Sequence, residues 1–100
     1  MLFEWDESKN RANRAKHGID FNLARIAFDD PFAITRPDCD IDGEQRYQLI
    51  GSVFARIVLV AHSVNVKSLT DVAEEEVIRL ISARKATPGE RKLYEENATD

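Results

Sequence analysis

The chain has 100 residues, of which 43% are hydrophobic and 32% are charged, and its formal net charge is −4 at pH 7. These values predict one globular domain, residues 1–100, and exclude a disordered protein. No apolar run approaches the roughly 20 residues that span a bilayer, and the N-terminus lacks a signal-peptide pattern, so we expect a cytoplasmic protein without membrane contact. Because Cys39 is the single cysteine and no Cys/His cluster has metal-ligand spacing, we predict no disulfide, no metal and no cofactor.

The N-terminal segment predicts a short strand followed by a polar helix. Phe3 and Trp5 alternate with charged residues, which is typical of an edge strand. Asp6 is a good N-cap for a helix that ends at His17, and Gly18 suits the C-terminal stop. Since this helix has almost no apolar stripe, we expect its ends or a binding partner to hold it.

A second helix is predicted between two turn signals. Asp20 suits its N-cap, and the Asp30-Pro31 pair ends it. Residues 32–35 then predict a short strand, and residues 37–43 predict an acidic loop.

The middle of the chain predicts a β-hairpin. Residues 45–53 alternate in polarity and residues 56–63 form the most apolar strand, so we expect a tight turn at Phe54-Ala55. Residues 64–74 are predicted to form a loop, with a helical turn from Ser68 onward.

The C-terminal part predicts a strand, residues 76–83, that leads into a helix, residues 87–97. Thr87 suits the N-cap, Pro88 the first helical position, and Glu90 completes a capping box. The order of elements predicts an α+β domain with a largely antiparallel sheet of about four to five strands. Two N-terminal helices would cover one face, and the C-terminal helix would lie near the other face or an edge.

Cations cluster in two segments despite the negative net charge. The clusters are Lys9, Arg11, Arg14 and Lys16, and then Arg79, Arg84, Lys85, Arg91 and Lys92. A cationic cluster at a strand–helix junction is typical of sites that bind phosphates. Solvated helix faces explain the same charges equally well.

Several separate motifs make the chain resemble the BrnT family, the toxins of type II toxin–antitoxin modules. They are Phe3-Glu4-Trp5-Asp6, Lys16-His17-Gly18-Ile19-Asp20-Phe21, Phe28-Asp29-Asp30-Pro31, Ile81-Ser82-Ala83-Arg84-Lys85-Ala86 and Glu90-Arg91-Lys92-Leu93-Tyr94. The resemblance implies a RelE/ParE-like fold, RNA cleavage that arrests translation, and neutralisation by a BrnA-like ribbon-helix-helix antitoxin through which the complex binds operator DNA. The acidic segment of residues 64–75 departs from the family pattern, which has a short turn there.

Metal-free RNA cleavage needs a base for the 2′-OH, cations for the phosphoryl oxygens and an acid for the departing 5′-oxygen. Arg84 and Lys85 are the first candidates for a phosphate clamp. The alternative is a pair of solvated cations at a strand end that neutralise Glu90 or Glu44. Arg91 is expected to extend the clamp. Tyr94 either donates a proton, stacks on a base, or simply anchors the last helix.

The two histidines, His17 and His62, are candidates for the acid and the base because their side chains titrate near neutrality. The structural alternatives are a helix C-terminal partner for His17 and a packed strand residue for His62. Lys16, Arg46 and Arg79 are the candidate RNA-binding cations. Arg46 and Arg79 either reach a concave sheet face or pair with Glu76 or Glu44.

Three functions stay open at this point. The first is a metal-independent endoribonuclease acting on an RNA substrate. The second is a ParE-like toxin that poisons a protein target without cutting RNA, since fold does not decide function. The third is a co-repressor that binds DNA with its antitoxin, which the negative net charge favours.

Overall fold

The computed structural model describes residues 1–99 as an α+β fold with one five-stranded sheet. The strands are β1 (Leu2–Glu4), β2 (Ile34–Ile41), β3 (Glu44–Val53), β4 (Arg56–Ser68) and β5 (Glu74–Lys85). The helices are α1 (Glu7–His17), α2 (Phe21–Ala24) and α3 (Pro88–Ala98), and a 3₁₀ helix spans Arg25–Asp29. The predicted α+β class is confirmed. In the part of the chain that the structure describes, no helix is long and apolar enough to cross a membrane.

The sheet is mixed, with the strand order β1-β5-β4-β3-β2. β1 pairs with β5 in parallel, and the three other pairings are antiparallel. The prediction of a largely antiparallel sheet was therefore wrong. The hairpins are local and readable in the sequence, whereas the partner of β1 lies more than seventy residues away, at Val77–Arg79.

The arrangement of the N-terminal helices also differs from the prediction. The expected single helix from Asp20 to Asp30 is one four-residue turn, α2, followed by the 3₁₀ helix. The 3₁₀ segment lies so close to β3 that a Cβ atom on Gly51 would be 2.9 Å from the carbonyl oxygen of Ala27. Close packing against the sheet therefore overrides the helical propensity of this segment.

Two asparagines hold the polar helix α1 in place. Asn13 donates to the carbonyl of Ala83 (2.9 Å) and accepts from the amide of Ala83 (3.1 Å), so its side chain continues the hydrogen bonding of the β5 edge beyond β1. Asn10 accepts from the amide of Phe21 at 2.9 Å. Both asparagines are buried, and they replace the apolar stripe that α1 lacks.

The predicted helix caps are confirmed. Asp6, Asp20 and Thr87 cap α1, α2 and α3, Glu90 completes the capping box, and Gly18 ends α1 in the left-handed region with φ 73°. Each cap satisfies amide groups that the helix end leaves free.

Two predicted loops are strands. β4 continues to Ser68, which pairs with Glu74 of β5, so residues 64–74 extend the sheet as a β-hairpin arm and the expected helical turn is absent. β2 likewise runs through the predicted acidic loop, with a bulge between Pro37 and Asp40. Proline is tolerated there because β2 is an edge strand.

The two faces of the sheet are covered unequally. The N-terminal elements bury the main core on one face, with Phe21, Ala27, Leu49, Val60 and Leu80 among its members. On the other face, Tyr94 of α3 packs against Ile50 and Leu59. The residues of α3 cover one end of this second face, and polar side chains occupy the other end.

Candidate nucleic-acid interface

A row of polar residues crosses the open end of the sheet. Ser63 of β4 pairs with Arg46 of β3 on one side and with Arg79 of β5 on the other. Side chains that are directly opposite one another in neighbouring strands share a sheet face. The register therefore brings together Arg46 and Arg79, two of the candidate RNA-binding cations.

Arg46 and Arg79 form part of the wall of a surface groove of about 240 Å³. The other lining residues are Lys9 of α1, Ile81 of β5, and Ile41, Asp42 and Glu44 at the β2–β3 hairpin. Three cations thus surround the groove, and two carboxylates lie among its lining residues. The cations of this groove suit the phosphates of an anionic backbone, and its carboxylates are groups that accept protons.

Two buried polar atoms at this row have no hydrogen-bond partner among the described residues. They are Nε of Arg46 and Oγ of Ser63. Neither Arg46 nor Arg79 forms an ion pair within residues 1–99. Because buried polar atoms are nearly always paired, these two atoms make the row beside the groove an unusual polar position within the sheet.

Arg84 has a different environment, although it lies on the same face. Its guanidinium binds Glu90 through two hydrogen bonds, Nη1 to Oε1 at 2.8 Å and Nη2 to Oε2 at 3.0 Å. Arg36 also donates to Oε2 of Glu90, at 3.3 Å, and the amide of Thr87 donates to Oε1 at 2.9 Å. Glu90 is therefore a buried hub that joins β2, β5 and α3.

The charges of this hub stabilise one another. The hydrogen bonds from Arg84 outweigh the effect of burial and, with those from Thr87, lower the pKa of Glu90 to about 2. The same hydrogen bonds raise the pKa of Arg84. The arrangement gives Arg84 a structural role and leaves it only partly exposed.

Lys85 does not lie beside Arg84. Arg84 pairs with Leu59, which belongs to the α3 side, whereas Lys85 pairs with Val58, which belongs to the main core. Lys85 instead lines an open cleft of about 420 Å³ together with Arg91 and Arg56. The structure thus brings Lys85 and Arg91 together and separates both from the Arg46–Arg79 groove.

Tyr94 is buried and hydrogen-bonded. Its hydroxyl donates to Oδ2 of Asp30 at 2.6 Å, and the amide of Ser52 donates to the same oxygen at 2.8 Å. Burial and the nearby carboxylate raise the pKa of Tyr94 to about 12. For Asp30, the hydrogen bonds from Tyr94 and two backbone amides outweigh burial and lower the pKa. Tyr94 therefore anchors α3 to the end of the 3₁₀ helix.

His62 is 3% exposed and lies between two aromatic rings on the main-core face. Its ring centroid is 4.9 Å from that of Phe28 and 5.9 Å from that of Tyr47. Burial lowers the pKa of His62, and its Nδ1 lies 3.2 Å from the carbonyl oxygen of Val60. His17 is half-buried in the last turn of α1, beside the exposed Lys16. The structure does not bring either histidine to the groove.

Four polar residues at or beside the groove were not predicted as site residues: Lys9, Asp42, Glu44 and Ser63. Ser63 looks like any polar residue at the end of an apolar strand, and only its register with Arg46 and Arg79 reveals its position. Lys9 was counted in a basic segment, but no pattern in the sequence indicates that α1 brings it to the groove. The alternation of β3 and β4 was the one available signal for Ser63.

Comparison with known families agrees with the sequence motifs. A family model described as "Ribonuclease toxin, BrnT, of type II toxin-antitoxin system" matches residues 5–90. No curated protein has significant similarity to the chain. Because the match covers most of the sequence, the chain belongs to the BrnT family of type II toxin–antitoxin ribonuclease toxins.

Proposed function

We propose that this protein is a cytoplasmic, metal-independent endoribonuclease that cleaves RNA and thereby inhibits translation, and that a BrnA-like antitoxin neutralises it. The family description supports the ribonuclease activity and the existence of an antitoxin. The observation that carries the proposed location of the site is the groove in which Arg46 and Arg79, neither of them in an ion pair within residues 1–99, lie beside Lys9. Operator DNA would be bound only through the antitoxin complex.

The groove residues would act mainly by stabilising charge on the phosphate. The guanidinium groups of Arg46 and Arg79 are planar donors that match phosphoryl oxygens. When the 2′-OH attacks, negative charge grows on those oxygens and the fixed cations stabilise it. The products would be a 2′,3′-cyclic phosphate and a free 5′-hydroxyl.

Proton transfer requires further groups close to the same phosphate. Among the residues that line the groove, Asp42 and Glu44 carry side chains that accept protons. We infer that one of these carboxylates takes the proton of the 2′-OH. Lys9 is the lining residue that is able to donate a proton to the leaving oxygen.

A matched pair of substrates tests this function. Purified protein should cleave an RNA oligonucleotide and leave the same oligonucleotide intact when every 2′-OH is replaced by hydrogen, because the attacking group is then absent. Cleavage should persist in a chelator such as EDTA. Cleavage of the deoxy substrate, or activity that appears only with an added divalent metal, would refute the mechanism. If induction in cells stops DNA replication before translation, the protein-poisoning alternative holds instead.

A further inference from the structure

The two tight turns of the sheet share a backbone conformation, but only the first has a sequence that favours this conformation. The β2–β3 turn is Asp42-Gly43 and the β3–β4 turn is Phe54-Ala55, and each joins its strands with two residues. All four residues have positive φ: 52° and 79° in the first turn, 49° and 67° in the second. Such turns favour Asn-Gly or Asp-Gly. Phenylalanine and alanine are strained in this region, and persistent strain of this kind is concentrated at functional sites.

The strained turn presents an aromatic ring to solvent. Phe54 is 75% exposed, and it borders an apolar groove of about 190 Å³. The other residues that line this groove are Gly18, Ile19, Leu23, Val53, Arg56 and Val58. Leu23 is itself 44% exposed. An aromatic ring beside an open aliphatic groove is the kind of surface that anchors protein–protein contacts.

Charge around this turn limits the kind of partner. Arg56 lines the apolar groove and also the cleft of Lys85 and Arg91, where the lining residues include three cations and one carboxylate, Glu95. A partner that fits both would carry apolar side chains next to carboxylates. RNA fits poorly, because the walls of the apolar groove offer almost no side-chain groups to hydrogen-bond the edges of bases.

We propose that the surface formed by Phe54, Leu23 and Arg56 is the docking site for a segment of the antitoxin that presents apolar residues flanked by Asp or Glu. This proposal rests on the antitoxin partner of the proposed function. The docking surface and the RNA groove lie at opposite ends of β3, since the seven steps from Arg46 to Val53 span roughly 23 Å. Binding of the antitoxin and cleavage of RNA are therefore separable by mutation.

Replacing the strained turn with the favoured sequence tests the proposal. The double variant Phe54→Asn, Ala55→Gly removes the ring and relieves the strain, so its melting temperature should equal or exceed that of the wild-type protein. Its affinity for the antitoxin encoded by the neighbouring reading frame should fall at least tenfold, measured by calorimetry. RNA cleavage by the variant should continue, and the antitoxin should inhibit it less.

Two further sites supply a matched surface control and a test of the charge at Arg56. Val72→Asn is the matched control, because Val72 is 96% exposed in the turn beyond the far end of β4, and it should bind the antitoxin as the wild type does. Arg56→Glu should weaken binding at least tenfold, and Arg56→Lys should weaken it less. Unchanged affinity of F54N/A55G, or an equal loss in V72N, would overturn the proposal. So would a loss of RNA cleavage in F54N/A55G with antitoxin binding intact. If the wild-type protein does not bind this antitoxin at all, the proposed partner is wrong, and the proposed docking site is refuted as well.

Discussion

Arg84 and Lys85 are consecutive in β5, yet Arg84 binds Glu90 in the first turn of α3 and Lys85 lines a cleft with Arg91. Neighbouring residues of a strand point to opposite faces, so two adjacent cations cannot both hold one phosphate on a sheet face. For this reason we place the proposed phosphate site at Arg46 and Arg79. These two residues are far apart in sequence, but both pair with Ser63. It also predicts different effects for Arg84 and Lys85.

Arg84→Ala should destabilise the protein by roughly 1–3 kcal/mol, because it leaves the buried Glu90 carboxylate without its main partner. Lys85→Ala should change the free energy of unfolding by less than about 0.5 kcal/mol, since its side chain is exposed. Urea unfolding of both variants measures the difference. Equal stability of the two variants would mean that the Arg84–Glu90 pair does not hold α3 to the sheet.

The Glu90 hub should contribute to the pH dependence of stability. The folded pKa of about 2 is below the reference value of 4.5, so the contribution is complete above pH 4.5 and is lost as the pH falls from 4.5 towards 2. Glu90→Gln lacks this titration. The difference in unfolding free energy between wild type and E90Q should therefore shrink across that window. A difference that is constant from pH 6 to pH 3 would contradict the depressed pKa.

His62 should also make the protein less stable as the pH falls, at a higher pH than Glu90 does. Burial lowers its folded pKa below 6.5, so the folded protein binds fewer protons than the unfolded chain, and stability is lost as the pH falls below 6.5. His62→Phe, which keeps a ring between Phe28 and Tyr47, should lose less stability than the wild type between pH 7 and pH 5. If H62F keeps the full slope, His62 is not the group responsible.

Tyr94 should stabilise the fold rather than transfer protons. Tyr94→Phe removes the hydrogen bond to Asp30, whose Oδ2 keeps the amide of Ser52, and should cost about 1 kcal/mol in urea unfolding. Loss of a general acid typically reduces a rate by roughly 10²–10⁴-fold. We expect the RNA cleavage rate of Y94F to change less than about tenfold. A larger loss of rate in a variant that is still folded would indicate that Tyr94 takes part in proton transfer.

Local signals in the sequence predicted local structure well. The caps at Asp6, Asp20 and Thr87 are correct, and so is the turn at Phe54-Ala55, because each depends on a few adjacent residues. The sequence did not reveal the parallel β1–β5 pairing, since a three-residue strand carries no signal for its partner. It also did not reveal that 3₁₀ geometry, permitted by Gly51, would replace most of the second helix.

The site was predictable only in part, and for a related reason. Arg46 and Arg79 were expected to reach a sheet face because both lie on central strands, but the sequence left ion pairs with Glu76 or Glu44 as an equal alternative. The pairing of Arg84 with Glu90 was one of the alternatives that the sequence left open, and only the way in which α3 folds back decides between it and a free phosphate clamp. Ser63 acquires its significance only from the register of three strands.

The most direct test of the account is the RNA cleavage rate of the double variant Arg46→Ala, Arg79→Ala. Removal of groups that stabilise charge in a transition state typically slows a reaction by roughly 10²–10³-fold, so we predict a loss of at least about 100-fold. Arg11→Ala, Arg25→Ala is the charge-matched control, because both arginines are exposed and neither lines the groove, and it should cleave at the wild-type rate. The loss should occur with thermal unfolding and antitoxin binding unchanged. A folded R46A/R79A protein that cleaves RNA normally, while Lys85→Ala, Arg91→Ala does not, would contradict the account and assign the site to the other cleft.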